Sequence, residues 1–224
     1  MYLISTPLGN LGDMSFRALE LLRSCDRVAC EDTRVTGRLL QQFEIKKPIL
    51  SYREQNEAAR AEELAKSLQA GDSIALLCDA GTPTLSDPGF RLVRTCRKLG
   101  IPVVPIPGPC AAIAALSASG LPSNAFHFVG FLPPKKAARL RFFEENRVAC
   151  HTIILYESCH RIEKCVDDLI EVLGENRCIC IAREITKRHE TFLTGVACHV
   201  REQLRERSTK GEFVLLIAPE DFVL

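Results

Sequence analysis

The sequence predicts an α/β protein built as two α/β domains, and three observations carry that expectation. Short apolar runs alternate with amphipathic segments along the whole chain, the pattern of a parallel or mostly parallel sheet covered by helices. Polar loops follow the apolar runs repeatedly, so chemistry-bearing side chains gather where strands end, the place where open α/β sheets bind ligands. A stiff break, Pro105-Ile106-Pro107-Gly108-Pro109, interrupts the alternation near its middle and sets the domains at residues 1–108 and 109–224.

In chain order, residues 2–5 form the first strand and residues 6–13 a loop. Ser15 then caps a helix whose apolar side is expected to be Phe16, Leu19, Leu22 and Cys25. Gly9 and Gly12 lack the spacing of a dinucleotide-binding turn, so no such fold is read from them. A strand over 27–30 ends in Glu31-Asp32-Thr33-Arg34, and a helix follows through Arg38, Leu39, Leu40 and Phe43. Asn56 opens a helix that runs to Gln69 and stops at Gly71. The continuous apolar run 73–77 is the central buried strand. It delivers the loop 78–89, in which Gly81, Pro83, Pro88 and Gly89 limit the backbone while Asp79, Thr82, Thr84, Ser86 and Asp87 present polar groups. A tight strand-to-helix connection capped by Asp87 would use the same residues. A helix over 90–98, ended by Gly100, leads to a strand over 101–106.

After the break, residues 110–120 form a helix made almost wholly of small side chains, which lets it lie close to a neighbour or a ligand. Strands are expected near 126–129, 151–156, 177–183, 190–194 and 212–218, with charged helices between them. Three loops are dense in polar groups: 131–136, 156–161 and 182–190. The basic character of Lys135 and Lys136 continues through Arg139 and Arg141, and a solvated helix face accounts for such a run as well as a phosphate-binding one does.

Composition narrows the function classes. The formal net charge is +1, so contact with nucleic acid requires a local basic patch. No apolar run approaches the roughly 20 residues that span a bilayer, and no cationic leader precedes Tyr2-Leu3-Ile4, so a cytoplasmic, non-membrane protein is expected. The eleven cysteines form no C-x-x-C unit and read as small core residues, with Cys178 and Cys180 on one strand face; neither a metal nor a disulfide framework is expected.

The motifs Thr6-Pro7-Leu8-Gly9-Asn10-Leu11-Gly12-Asp13, Glu31-Asp32-Thr33-Arg34, Asp79-Ala80-Gly81-Thr82-Pro83, Asp87-Pro88-Gly89, Pro105 to Ala111, Gly130-Phe131-Leu132-Pro133, Tyr156-Glu157-Ser158 with His160-Arg161, and Ala182-Arg183-Glu184 with Thr186-Lys187 occur in one order. In that order they resemble the RsmI-type 16S ribosomal RNA cytidine 2′-O-methyltransferases, and they cover nearly the whole chain. The resemblance implies the tetrapyrrole-methylase fold, two α/β domains with S-adenosylmethionine in the cleft between them. It implies a cytidine in the decoding region of 16S rRNA, within the small ribosomal subunit, as target and a homodimer as the working form. Many members continue into a further C-terminal region beyond the equivalent of residues 211–217.

By the same similarity the cofactor contacts are Pro7, Leu8, Asp79, Gly81, Thr82, Pro83, Leu85, Cys110 and Ala111, with Tyr156 and Glu157 on the adenosine side. Methyl transfer to a ribose hydroxyl is an in-line displacement, so the protein must align two atoms and handle one proton. Glu184 and Lys187 are the expected catalytic pair, against a plainer arrangement in which Arg183 and Glu184 simply pair with each other. The expected RNA contacts are Arg34, Arg38, Lys135, Lys136, Arg139, Arg161, Arg183 and Arg188, joined by Lys187. With no Trp and three Tyr, recognition would lean on the shape of the assembled subunit more than on base stacking. A methyltransferase acting on a corrin-type macrocycle would share the cofactor loops, as would a non-catalytic ribosome assembly protein; the latter would survive loss of Glu184 and Lys187.

Overall fold

The computed structural model describes residues 1–224, and the chain divides into two compact units, Met1–Cys110 and Ala111–Leu224.

In the first unit, strands β1 (Tyr2–Ile4), β2 (Arg27–Cys30), β3 (Ile49–Ser51), β4 (Ile74–Leu77) and β5 (Val104–Ile106) form one sheet in the order β3-β2-β4-β1-β5. All four pairings are parallel. A parallel sheet buries both faces, and alternation along the central strands does this here. Ile74 and Leu76 join the core under α3 (Glu57–Gln69) and α4 (Phe90–Lys98), while Ala75 and Leu77 join the core under α1 (Phe16–Ser24) and α2 (Thr33–Gln42). Ser15 accepts a hydrogen bond from Ala18 N at 3.2 Å and so caps α1 as expected. The inward face of α1 is Ala18, Leu22 and the following Cys25, not the expected Phe16, which is 89% exposed. As the first helical residue, Phe16 sits two positions ahead of the buried stripe that begins at Ala18.

The second unit has strands β6 (Phe126–Phe131), β7 (Thr152–Ser158), β8 (Cys178–Arg183), β9 (Thr191–Val196) and β10 (Glu212–Ile217) in the order β6-β7-β10-β8-β9. Here the expectation of a mostly parallel sheet is corrected. Only β6 and β7 are parallel, while β10 runs antiparallel to β7 and β8, and β8 to β9. The cause is connection length: residues 184–190 between β8 and β9 are too few for a crossover helix and make a hairpin return. One core lies under α6 (Lys136–Glu145), α7 (Ile162–Leu173) and α8 (Ala197–Arg205), fed by Ile153, Leu155, Ile179, Ile181, Phe213 and Leu215. Helix α5 (Ala111–Ala118), built of small side chains, packs on β7 and β10. Cys178 and Cys180 are both buried on alternate positions of β8, opposite in pleat to Ile179 and Ile181. No helix is long and apolar enough to cross a membrane.

Candidate functional site

In the first unit, three adjacent strands bring their carboxyl ends together. Thr6, just beyond β1, and Gly81, beyond β4, exchange two backbone hydrogen bonds of 2.8 and 3.0 Å. The Thr6 hydroxyl donates to the Cys78 carbonyl at 3.1 Å. Thr82 extends the stitching, with its hydroxyl 3.0 Å from that of Ser5 and donating to the Pro109 carbonyl at 2.9 Å. The structure therefore brings Pro7, Leu8, Gly81, Thr82 and the segment ending at Cys110 into one cluster of loops. Two glycines make this packing possible. A Cβ on Gly81, whose φ is +87°, would sit 3.2 Å from Leu8 Cδ2, and one on Gly108 would sit 2.8 Å from Ser5 Cβ. Leu85 is exposed and Asp79 half-buried, whereas Pro83 is buried.

Carboxylates rim the same edge. Asp79 accepts a hydrogen bond from Asp32 N at 3.1 Å, tying the end of β2 to the end of β4. Asp32 also caps α2 through Arg34 N at 2.8 Å, and its carboxyl is held far below its usual range by hydrogen bonds from the Arg34 side chain and backbone. Burial and the neighbouring Asp79 push Glu31 upward. Asp87 rises furthest, to about 6, through burial and then the repulsion of Glu31, outweighing a hydrogen bond with Cys78.

Asp87 does not cap α4. That helix begins after Gly89, at φ +136°, and its first amides are satisfied from another element: Gly89 N and Arg91 N each donate to Glu57 Oε1 at 3.1 Å. Glu57, 8% exposed in the first turn of α3, also accepts from the Tyr52 hydroxyl at 3.2 Å. Thr84 and Ser86 hold left-handed backbone at φ +77° and +65°, so Glu57 and Tyr52 anchor the far end of a strained loop. Neither residue is legible as part of a site from sequence. An acid in a first helical turn reads as an ordinary dipole partner.

In the second unit, the Tyr156 ring lies edge-on to Phe128 and Phe131, with centroids 4.9 and 5.8 Å away, and its hydroxyl accepts from Ala112 N at 3.2 Å at the start of α5. Glu157 is corrected as a cofactor contact. Its carboxylate is buried, pairs with Arg161 at 2.9 Å and accepts from Ser158 N. Arg161, expected as an RNA contact, is half-buried and in turn donates to the Leu132 and Pro133 carbonyls. Arg139 is corrected as an RNA contact because it is buried. It is 6% exposed, paired with Asp168 at 2.6 Å and bonded to the Pro134 carbonyl. Lys136 is exposed but paired with Glu171 at 2.8 Å, and Lys135, Arg38 and Arg188 are exposed. Arg34 is exposed beside its partner Asp32, and the half-buried Arg183 donates to the Lys210 carbonyl at 2.7 Å.

Glu184 and Lys187 are brought together, though not through the Arg183 pairing weighed above. Lys187 Nζ lies 2.9 Å from Glu184 and 2.8 Å from Glu212, while Glu184 Oε1 also accepts from Glu212 N at 3.1 Å. Burial alone would raise the Glu184 carboxyl, but hydrogen bonds from Lys187 and from the Glu212 amide hold it below its usual value. Burial likewise works against the Lys187 ammonium, and the two carboxylates outweigh it and raise its pKa. Glu184 and Thr186 are left-handed, at φ +52° and +67°. A Cβ on Gly211 would fall 2.6 Å from the Glu184 side chain, so this carboxylate is seated against a position only glycine leaves open.

Comparison with known proteins places this arrangement. The family model described as tetrapyrrole (corrin/porphyrin) methylases matches residues 1–200. A protein of Escherichia coli O157:H7 named ribosomal RNA small subunit methyltransferase I is 48% identical over 221 residues, spanning 97% of this chain and 77% of the relative. The protein of that name from Synechocystis is also 48% identical, over 99% of this chain and 80% of its own length. Among solved structures, a diphthine synthase superposes with a TM-score of 0.74 at 16% identity, over 97% of this chain and 89% of its own. A uroporphyrin-III-C-methyltransferase from Thermus thermophilus gives 0.64 at 20%, over 98% and 94%. The fold is thus that of the tetrapyrrole methylases, and the chain belongs to their ribosomal RNA small subunit methyltransferase I family.

Proposed function

We propose that this protein is an S-adenosylmethionine-dependent methyltransferase of small-subunit ribosomal RNA that methylates the ribose 2′-oxygen of a cytidine in the decoding region, acting in the cytoplasm as a homodimer. The observation that carries the reading is identity of 48% along 97% of the chain to a relative named for small-subunit rRNA methylation.

The loops of the first unit fit the cofactor. Their backbones pack closely at Gly81 and Gly108, leaving small and proline-rich surfaces suited to a flat adenine. Their rim of Glu31, Asp79 and Asp87 suits a molecule with a sulfonium and an ammonium group. Bound there, S-adenosylmethionine supplies a methyl group already activated by its sulfonium. Pro7, Leu8, Asp79, Gly81, Thr82, Pro83, Leu85 and Cys110 are assigned as contacts in this unit, and Ala111 and Tyr156 in the other.

The remaining task is to orient a ribose hydroxyl and manage its proton. Lys187, kept charged by Glu184 and Glu212, is suited to stabilise negative charge developing on the attacking oxygen, and Glu184 to hold the ammonium in place. Arg34, Arg38, Lys135, Lys136, Arg183 and Arg188 are assigned to RNA phosphates.

The test is transfer of labelled methyl to purified small subunits, naked ribosomal RNA and a corrin precursor, with the label mapped. Label on a cytidine 2′-oxygen in the subunit is expected. Lys187→Met should lower kcat by about 100-fold or more with little change in cofactor affinity, and Glu184→Gln by a smaller factor. Label on the macrocycle alone, or undiminished transfer by both variants, would overturn the respective assignments.

A further inference from the structure

The first unit carries a helix whose charges are all of one sign. Within its nine residues α4 holds Arg91, Arg94, Arg97 and Lys98 and no carboxylate, in a chain of net charge +1. At about 100° per residue, Leu92 and Cys96 point to one side, where they are buried in the core shared with α3. Phe90, Arg91, Arg94, Arg97 and Lys98 cover an arc of about 120° on the opposite side, and all five are exposed, Phe90 at 66%.

Several other cations on helices of this chain pair with carboxylates. Arg60 pairs with Glu63, Lys136 with Glu171, Arg141 with Glu145, and Arg205 with Asp167. On α4 only Arg91 meets a carboxylate, at 3.5 Å, and that carboxylate is Glu57, already engaged as the cap. The helix dipole accounts for Arg97 and Lys98 in the last turn, but it opposes Arg91 in the first turn and gives nothing to Arg94 at the centre. A second copy of the chain is a poor occupant, because two-fold pairing of this face would set like charges against each other. A polyanion is the complementary one.

We propose that the outer face of α4 binds the phosphate backbone of the small-subunit RNA, with Phe90 offering its ring to an unpaired base. The proposal rests on the reading of that RNA as substrate and adds a surface that none of the phosphate contacts assigned above includes. Its position has a consequence for geometry. Because α4 starts directly after the loop 78–89, phosphates held by Arg94 and Arg97 lie within one helix of the loop assigned to the cofactor. Phe90, at the end nearest that loop, is the residue placed to meet a base drawn out of its stack.

The experiment compares the full-length protein with the triple variant Arg94→Gln, Arg97→Gln, Lys98→Gln and with Phe90→Ala. Arg91 is left in place because it touches Glu57. Co-sedimentation with purified small subunits is measured across a series of KCl concentrations, beside calorimetric S-adenosylmethionine binding and methyl transfer. The triple variant should bind subunits at least about tenfold more weakly at 0.1 M salt. Its slope of log K against log salt should shrink by about 2 for three lost contacts to single-stranded RNA, with cofactor affinity and melting temperature unchanged. Phe90→Ala should weaken binding about fivefold without changing the slope, since stacking releases no counterions. Unchanged binding and slope in the triple variant, or a wild-type protein that does not bind subunits, would overturn the proposal. Subunit binding without methyl transfer by the wild type would instead overturn the catalytic reading, while the variant's slope would still decide the surface.

Discussion

Asp87 shows how far a single side chain departs from its sequence appearance. As part of Ser86-Asp87-Pro88-Gly89 it reads as a turn residue or helix cap, yet burial and the charge of Glu31 lift its carboxyl to about 6 from an ordinary 3.8. The folded state then binds more protons than the unfolded state between those two values. Stability contributed by the protonated form is present below about 4 and is lost as pH rises through 6. Asp87→Asn should therefore raise the melting temperature at pH 7.5, by roughly 3 °C per kcal/mol of relieved charge burial and repulsion, and the gain should vanish near pH 4. Calorimetric scans at the two pH values check this, and an equal gain at both would show that charge is not the cause. The other departures at this level are of one kind. Arg139 and Glu157 look like surface charges in sequence because composition cannot tell a buried ion pair from a solvated one.

Among the elements, the apolar runs made most strands legible. Residues 74–77, buried on both faces, needed no more than their uninterrupted hydrophobicity, and the small-residue texture of 111–118 marked α5. Strand β3 escaped detection because it has three residues, all half-buried, directly after Pro48. Strand direction in the second unit escaped as well, since local pattern carries no information on it and only the short span between β8 and β9 hinted at a hairpin. The tie between α3 and α4 is likewise invisible locally: Glu57 and the amides it receives are 32 and 34 residues apart. Replacing Glu57 by Ala would strand those amides and the Tyr52 hydroxyl. A loss of about 1–2 kcal/mol is expected by urea denaturation, with most of it recovered in Glu57→Gln, which keeps an acceptor oxygen. Equal losses in both variants would mean that the negative charge, not the hydrogen bonds, matters.

For the molecule as a whole, the two units keep separate cores. Every residue of two apolar clusters belongs to Met1–Cys110, and every residue of the third to Ala111–Leu224. Damage to one core should accordingly show first within its own unit. Arg139→Ala leaves Asp168 as a buried charge relieved only in part by the exposed Lys136, 3.7 Å away, and should cost about 3–5 kcal/mol. Native-state hydrogen exchange should locate the added opening in residues 111–224, with amides of β4 and α3 unaffected. Equal acceleration in both units would show that they open as one. The residues that steady each site, such as Gly211 behind Glu184, became visible only once distant segments were folded together.

The cysteines divide along the same lines. Four of the eleven thiols, at Cys25, Cys30, Cys78 and Cys96, are buried in the first unit, and three, at Cys165, Cys178 and Cys180, in the second. Burial raises the thiol pKa of Cys78 and Cys165 and suppresses the thiolate that oxidants and alkylating agents attack. Cys150, exposed, is open to such reagents in the native state. The buried seven react only when their unit opens, so chemical ageing of this protein is coupled to its folding equilibrium: each excursion to an open state is a chance of permanent injury, and whatever keeps the two units closed also keeps their sulfur reduced.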